Sequence, residues 1–348
     1  MPGILRFFLS ILVIFSHLSG AHSASHFGYY AVRAFFVLSG IVRTKSLHET
    51  YSFDFYRFYV NRLLRILPLY ALVCAITMLV IHWLPAQTAA LMPRWAFHED
   101  PNSILHNFLL LPLAFGDLQL RYVEPAWSLA VELVMYFLLW VGISRSPKLA
   151  LICLVLGAAY HSVLLAAGAS FNDRYFSIAS AVLSYAVGAM VYFHYESLSR
   201  NIRLGAVAAI LWFCNAIFGY FLWGERVLDI GFYANFLLFA LAAPYLMDLR
   251  LPQQWRSHDA ILGHLSYPVF LAQWLAGFAG YLLLANFEGR GVALFYVSMP
   301  FVVAMAAVLY KANDLIIEPG RKHVREASNP LRKLGLPNPL RARVQAAE

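Results

Sequence analysis

The chain has 348 residues, of which 61% are apolar and only 13% charged, a balance that excludes an ordinary soluble domain of this size. A formal net charge of +8 would suit a nucleic-acid binder. Its basic residues, however, alternate with apolar blocks of bilayer-spanning length and do not gather on one soluble face, so no nucleic-acid partner is expected. The three cysteines, Cys74, Cys153 and Cys214, lie inside apolar blocks and read as packing residues, with no disulfide framework or metal spacing.

The first block carries the arrangement around which the rest is read. Arg6 to His17 runs RFFLSILVIFSH, and eleven helical steps place the two ionisable groups on one face, about 16 Å apart along the axis. The block also has the layout of a signal peptide, with Arg6 ahead of an apolar run and small residues up to Ala24. The next apolar run follows almost at once, as in a helical hairpin, and cleavage near Ala21 would discard His17. That second run, Ala31 to Val42 (AVRAFFVLSGIV), holds Arg33. Ionisable groups at membrane depth are costly and face a protein-lined or wet interior, so all three are site candidates.

In chain order the apolar blocks predict an all-α, polytopic transmembrane bundle of about ten spans, at about 5–20, 27–43, 64–84, 127–143, 149–168, 176–194, 203–223, 229–247, 261–285 and 291–311. With the N-terminus cytoplasmic, the inside loops hold Arg43, Lys45, Arg57, Arg62, Arg65, Arg145, Lys148, Arg200, Arg203, Arg250 and Arg256. The outside loops hold only Arg94, Arg121, Arg174, Arg226 and Arg290, and this asymmetry supports both the orientation and an even span count. Ile104 to Phe115 is apolar but too short to span and contains Pro112; it reads as a re-entrant or interfacial segment on the outer side. Residues 1–315 form the membrane domain. Residues 316–348 form a basic cytoplasmic tail with Pro330, Pro337 and Pro339, placed near anionic lipid.

Three further stretches hold candidate chemistry. Phe35 to Gly40 (FFVLSG) ends in small residues that let a neighbouring helix approach closely. Asn61 to Tyr70 (NRLLRILPLY) sets Arg62 and Arg65 at i, i+3 on one face. Pro125 to Tyr136 (PAWSLAVELVMY) brings Glu132 into a span with Trp127 and Ser128 about a turn above it. Each residue also has a plain structural reading. Arg6, Arg62 and Arg65 suit the inner surface as topogenic charges, Trp127 suits an aromatic belt, and Glu132 suits an ion pair with Arg33. The histidines at 22, 26, 82, 98, 106 and 161 show no ligand spacing, and no metal is expected.

In these stretches the chain resembles the acyltransferase 3 family, integral-membrane enzymes that O-acylate sugars of bacterial surface and secreted glycans. The Arg-x10-His arrangement is met by Arg6 and His17; a charged residue before FFVLSG by Arg33; the Arg-x-x-Arg-Ile-x-Pro-x-Tyr stretch by Arg62, Arg65, Pro68 and Tyr70; and WSL-x-x-E by Trp127, Ser128 and Glu132. The likeness runs from the first span to about residue 310. One position departs: family members often have a histidine in the ninth span, where SYPVFLAQW places Gln273, an amide that hydrogen-bonds but does not titrate near neutral pH.

The resemblance implies acyl transfer from a cytosolic thioester to a sugar hydroxyl, with acetyl-CoA as donor substrate and no permanently bound cofactor. His17 is the expected general base, or is itself transiently acylated, with Glu132 orienting it. Arg6, Arg62 and Arg65 are expected at the cytoplasmic mouth on the donor phosphates, and Arg33 deeper, at the thioester carbonyl or holding Glu132. Trp127, Ser128, Tyr70 and Gln273 are expected near the acceptor, a glycan or lipid-linked sugar. The expected setting is the bacterial inner membrane, with both termini cytoplasmic and membrane lipid around the bundle. The competing class is a small-molecule transporter, which also tolerates buried Arg, His and Glu, although no internal repeat supports it.

Overall fold

Helix starts follow local capping chemistry. Asp54, Ser146, Ser177 and Asn201 each accept a hydrogen bond from a backbone N–H three residues on, at Arg57, Leu149, Ser180 and Leu204. These bonds satisfy donors that the first helical turn leaves unpaired. The computed structural model describes residues 2–20, 24–96, 100–116, 120–249, 251–284 and 290–326. Among these there is no strand, and ten long helices carry the fold: α1 (Gly3–Leu18), α2 (Ser25–Ser46), α3 (Phe55–Trp83), α4 (Ala126–Leu138, continued by a π-turn over Leu139–Ile143), α5 (Pro147–Ala166), α6 (Ile178–Phe193), α7 (Ile202–Trp223), α8 (Ile230–Asp248), α9 (Arg256–Leu283) and α10 (Val292–Ala312). Each coincides with one of the expected segments. Among the residues considered above, His22, His98, Arg250 and everything beyond residue 326 lie outside the described residues.

Six stretches are long and apolar enough to cross a membrane: Phe55–Trp83, Ala126–Ile143, Pro147–Ala166, Ile202–Leu228, Ile230–Asp248 and Val292–Arg325. α1 and α6 are shorter apolar helices. α2 and α9 are more polar, and their place in the fold explains it. α2 packs against α1, α6 and α8, and α9 against α1 and α10, so their polar residues meet protein where lipid would reject them. α5, by contrast, buries only 17% of its apolar window within the protein, against 61% for the stretch containing α4. The α1–α2 hairpin is therefore central, flanked by α9 and α10 on one side and by α5 and α6 on the other, with α7 and α8 paired beyond.

Two close approaches fix this centre. Gly40 of α2 meets Gly188 of α6; a Cβ on Gly188 would stand 2.4 Å from the Val37 carbonyl oxygen and 2.8 Å from the Gly40 Cα. A Cβ on Gly3 of α1 would lie 1.8 Å from the Asp259 carbonyl oxygen at the start of α9. The Ile104–Phe115 segment is not among the stretches long and apolar enough to cross a membrane. It is a helix, Pro101–Leu109, broken at Leu110 in the left-handed region (φ 63°), then a 3-10 turn over Leu111–Ala114. Asn107 ties this segment down: its amide donates to the Ser103 and Leu120 carbonyls, its side-chain oxygen accepts from the Tyr122 N–H, and its backbone carbonyl accepts from the Tyr70 hydroxyl.

Gly40→Val should force α2 and α6 apart at a contact with no spare room, lowering stability by about 1–3 kcal/mol. Thermal unfolding in detergent checks this; an unchanged midpoint would mean that the two helices separate freely.

Candidate active site

α1 and α9 run parallel in a constant register, and that register assembles the site. The Ile4 N–H donates to Asp259 Oδ1 at 2.8 Å, the Ser10 hydroxyl donates to the Ser266 carbonyl at 2.9 Å, and His17 Nδ1 lies 2.7 Å from Gln273 Oε1. Gly263 leaves the space that the Arg6 guanidinium occupies; a Cβ there would lie 2.5 Å from it. The orientation of the Gln273 amide is set by its own chain, because Nε2 donates to the Phe270 carbonyl at 2.8 Å. Its oxygen therefore faces His17 and can only accept, which assigns the proton to Nδ1 and leaves the Nε2 lone pair of the imidazole available. Trp274 stacks on the His17 ring at 5.8 Å between centroids, and the Arg290 guanidinium lies 6.0 Å above Trp274.

Two cavities meet inside the bundle. The inner one, of about 150 Å³, is lined by Arg6, Ser10, Ser39, Arg43, Arg65, Glu132, Tyr136 and Tyr267 among others. The outer one, of about 1020 Å³, is lined by His17, Tyr29, Trp127, Tyr175, Phe176, Trp274, Arg94, Arg121, Glu124 and Arg290 among others. Val32 of α2 and Ser128 of α4 line both and mark the place where the cavities adjoin. The inner cavity is electropositive. Arg6, Arg43 and Arg65 face it with Glu132 as the one carboxylate in its lining, and Glu132 Oε1 accepts from the hydroxyls of Ser39 at 2.8 Å and Tyr136 at 2.5 Å. The outer cavity is walled by aromatic rings: Trp127 packs edge-on against Tyr175 and Phe176, with centroids at 5.2 and 4.6 Å.

The sequence candidates fall into three groups. His17 and Gln273 touch, and Trp127 lines the outer cavity with His17; Arg6, Arg65 and Glu132 share the inner one, with Ser128 between the two. Glu132 makes no hydrogen bond to His17; the imidazole's partner is Gln273. Arg62 and Tyr70 line neither cavity. Arg62 is buried, donating to Asn61 Oδ1 at 3.0 Å and to the Tyr51 hydroxyl at 3.4 Å, and Tyr70 serves as the anchor of Asn107. Arg33 is also apart from Glu132. Only 3% exposed, it donates to the carbonyls of Ser180, Arg174 and Tyr175 and to the hydroxyls of Ser180 and Ser184, with Tyr175 and Phe232 rings at 5.2 and 5.5 Å. Five oxygen acceptors substitute for a counter-ion, and in doing so they pin the turn that carries Tyr175 against the outer cavity. Arg43, Trp274, Tyr29 and Arg290 were not singled out from the sequence. Arg43 directly follows the AVRAFFVLSGIV run and Trp274 closes the SYPVFLAQW stretch, and those positions are the signal they offered.

Compared with known proteins, residues 3–311 match the family model described as acyltransferase domain. No curated protein and no solved structure matches.

Arg33→Met should cost about 3 kcal/mol, since it removes a charged donor and leaves several buried acceptors unpaired. Thermal unfolding followed by tryptophan fluorescence tests this, and a variant as stable as wild type would show that those carbonyls are satisfied without Arg33.

Proposed function

The chain belongs to this acyltransferase family, and on that premise we propose that it moves an acyl group, most simply acetyl, from acyl-CoA at the basic face to a hydroxyl of a glycan or lipid-linked sugar held in the outer cavity. The basic face is taken as cytoplasmic and the membrane as the bacterial inner membrane, in keeping with the charge asymmetry of the loops. The observation that carries the reading is the pinned His17. Its Nδ1 is engaged by Gln273 and its ring borders the outer cavity, while the arginine-lined inner cavity adjoins that space at Val32 and Ser128.

In this reading Arg6, Arg43 and Arg65 attract the donor's phosphates, arginine forks being suited to phosphate oxygens. The pantetheine arm passes the Ser39–Glu132–Tyr136 cluster, where the carboxylate can accept from an amide N–H of the arm, and the thioester reaches His17 through the neck. The acceptor sugar lies against the aromatic wall of Tyr29, Trp127 and Trp274. Its hydroxyl oxygen attacks the thioester carbonyl carbon as His17 Nε2 takes the hydroxyl proton. The tetrahedral adduct then expels the CoA thiolate, breaking the C–S bond, and the imidazolium returns its proton to the sulfur. Gln273 acts through His17, holding the tautomer that leaves Nε2 free. A route in which Nε2 itself first carries the acyl group uses the same nitrogen.

The test is transfer of label from labelled acetyl-CoA into glycan by membranes containing wild-type or variant protein at equal expression. His17→Ala should reduce transfer by about 10²–10⁴-fold with the protein still in the membrane; full activity would remove His17 as the base. Gln273→Leu should lower kcat by about 10–100-fold while the donor KM stays as in wild type, and an unaltered kcat would show that the ring needs no such partner. No label entering glycan with wild-type protein would overturn the donor or the acceptor.

A further inference from the structure

The family match ends at residue 311, but the folded chain does not. α10 passes through a π-turn over Asn313–Ile317 into a strongly polar helix, Glu318–Glu326, that lies back against α3. Two hydrogen bonds seat it beside the arginine pair of α3: the Asn61 amide donates to the Arg321 carbonyl at 3.1 Å, and the Arg321 guanidinium reaches Asn61 Oδ1 at 3.5 Å. One carboxylate, Glu318, accepts from both Arg321 and Arg325. Arg321 is only 7% exposed, and its Nε has no partner.

Charge makes this seating costly. Among the described residues no ion pair joins Arg6, Arg43 or Arg65 to a carboxylate, and Arg321 is seated on Asn61, four residues before Arg65 on the same helix. Guanidiniums gathered in this way, with buried Nε donors left over on Arg6, Arg43 and Arg321, suit a ligand that carries several negative charges. An acyl-CoA is such a ligand, with a diphosphate at one end of its arm and a further phosphate on its ribose.

The geometry points to helix Glu318–Glu326 as a second phosphate-binding element of the donor site, in which Arg321 and Arg325 take the ribose phosphate of the acyl-CoA. Arg65 and Arg6 stay with the cavity through which the acyl arm runs. This rests on acyl-CoA being the donor. A lipid headgroup offers the same phosphate chemistry, but Arg321 is only 7% exposed and is held against α3 through Asn61, four residues before the Arg65 that lines the inner cavity.

Full-length protein in zwitterionic nanodiscs tests this by calorimetry with acetyl-CoA and with 3′-dephospho-acetyl-CoA. Wild type should bind acetyl-CoA about tenfold more tightly than the dephospho form, the worth of a charge-assisted phosphate contact. Arg321→Gln should abolish that preference while leaving affinity for the dephospho form unchanged. Arg325→Gln, whose side chain is 39% exposed, should do the same without risk to the fold. Equal wild-type affinity for the two donors, or an undiminished preference in Arg325→Gln, overturns the inference. Binding of neither donor by wild type overturns acyl-CoA as donor instead. If the preference disappears in nanodiscs containing anionic lipid, the arginines belong to lipid phosphate and the inference also fails.

Discussion

The site depends on the parallel contact between α1 and α9. Because the two helices keep one register over their shared length, a residue on α1 meets the same offset on α9 at Ser10–Ser266 and at His17–Gln273. A helix pair held in this way cannot slide: a shift of one residue would turn Gln273 about 100° away from the imidazole and drive a backbone into Gly3 or Gly263. The glycines and small hydroxyls are what permit the approach, and the polar side chains determine where along the helices it is made. In a low-dielectric interior the His17–Gln273 hydrogen bond is also the one that decides which imidazole nitrogen is left to do chemistry.

Around that contact the bundle divides its interior by charge. Arginines with a single carboxylate line the inner cavity, and aromatic rings with a mixed rim line the outer one. α2 and α4 contribute to both cavities and place neighbouring residues on different sides: Trp127 faces the outer cavity, whereas Ser128 borders both. The α4 motif thus works as a divider. Under the proposed function, that arrangement lets donor and acceptor approach from different ends, because each half can be specialised without compromising the other.

Arg33 shows the other way in which this protein handles intramembrane charge. Where Arg6, Arg43 and Arg65 form no ion pair among the described residues and share an open cavity with the carboxylate of Glu132, Arg33 is enclosed, with both terminal nitrogens bonded to backbone carbonyls and serine hydroxyls. Buried charge of the first kind is available to a ligand. Charge of the second kind is spent on holding the turn of Tyr175, and through it the aromatic wall. Residue type alone does not separate the two, since both are arginines inside or beside apolar runs.

Most of the fold was legible in the sequence, since a lipid environment forces apolar blocks of a definite length and permits only structures that satisfy their backbone internally. Ten segments read from hydropathy match the ten long helices, Gly40 was legible as a close-approach point, and the Ile104–Phe115 run was legible as a segment too short to span, which the break at Leu110 matches. The Arg6–His17 spacing followed from helical geometry alone. What the linear pattern could not contain is which helix faces which: that Gln273 and not Glu132 meets His17, that Arg33 points toward α6, that Arg62 and Tyr70 turn to structural partners, and that a polar helix after residue 317 returns to α3. Periodicity fixes the face of a helix but not its neighbour. The neighbour is chosen by backbone approach at glycines and by pairing of buried polar groups, both of which exist only once distant parts of the chain are packed together.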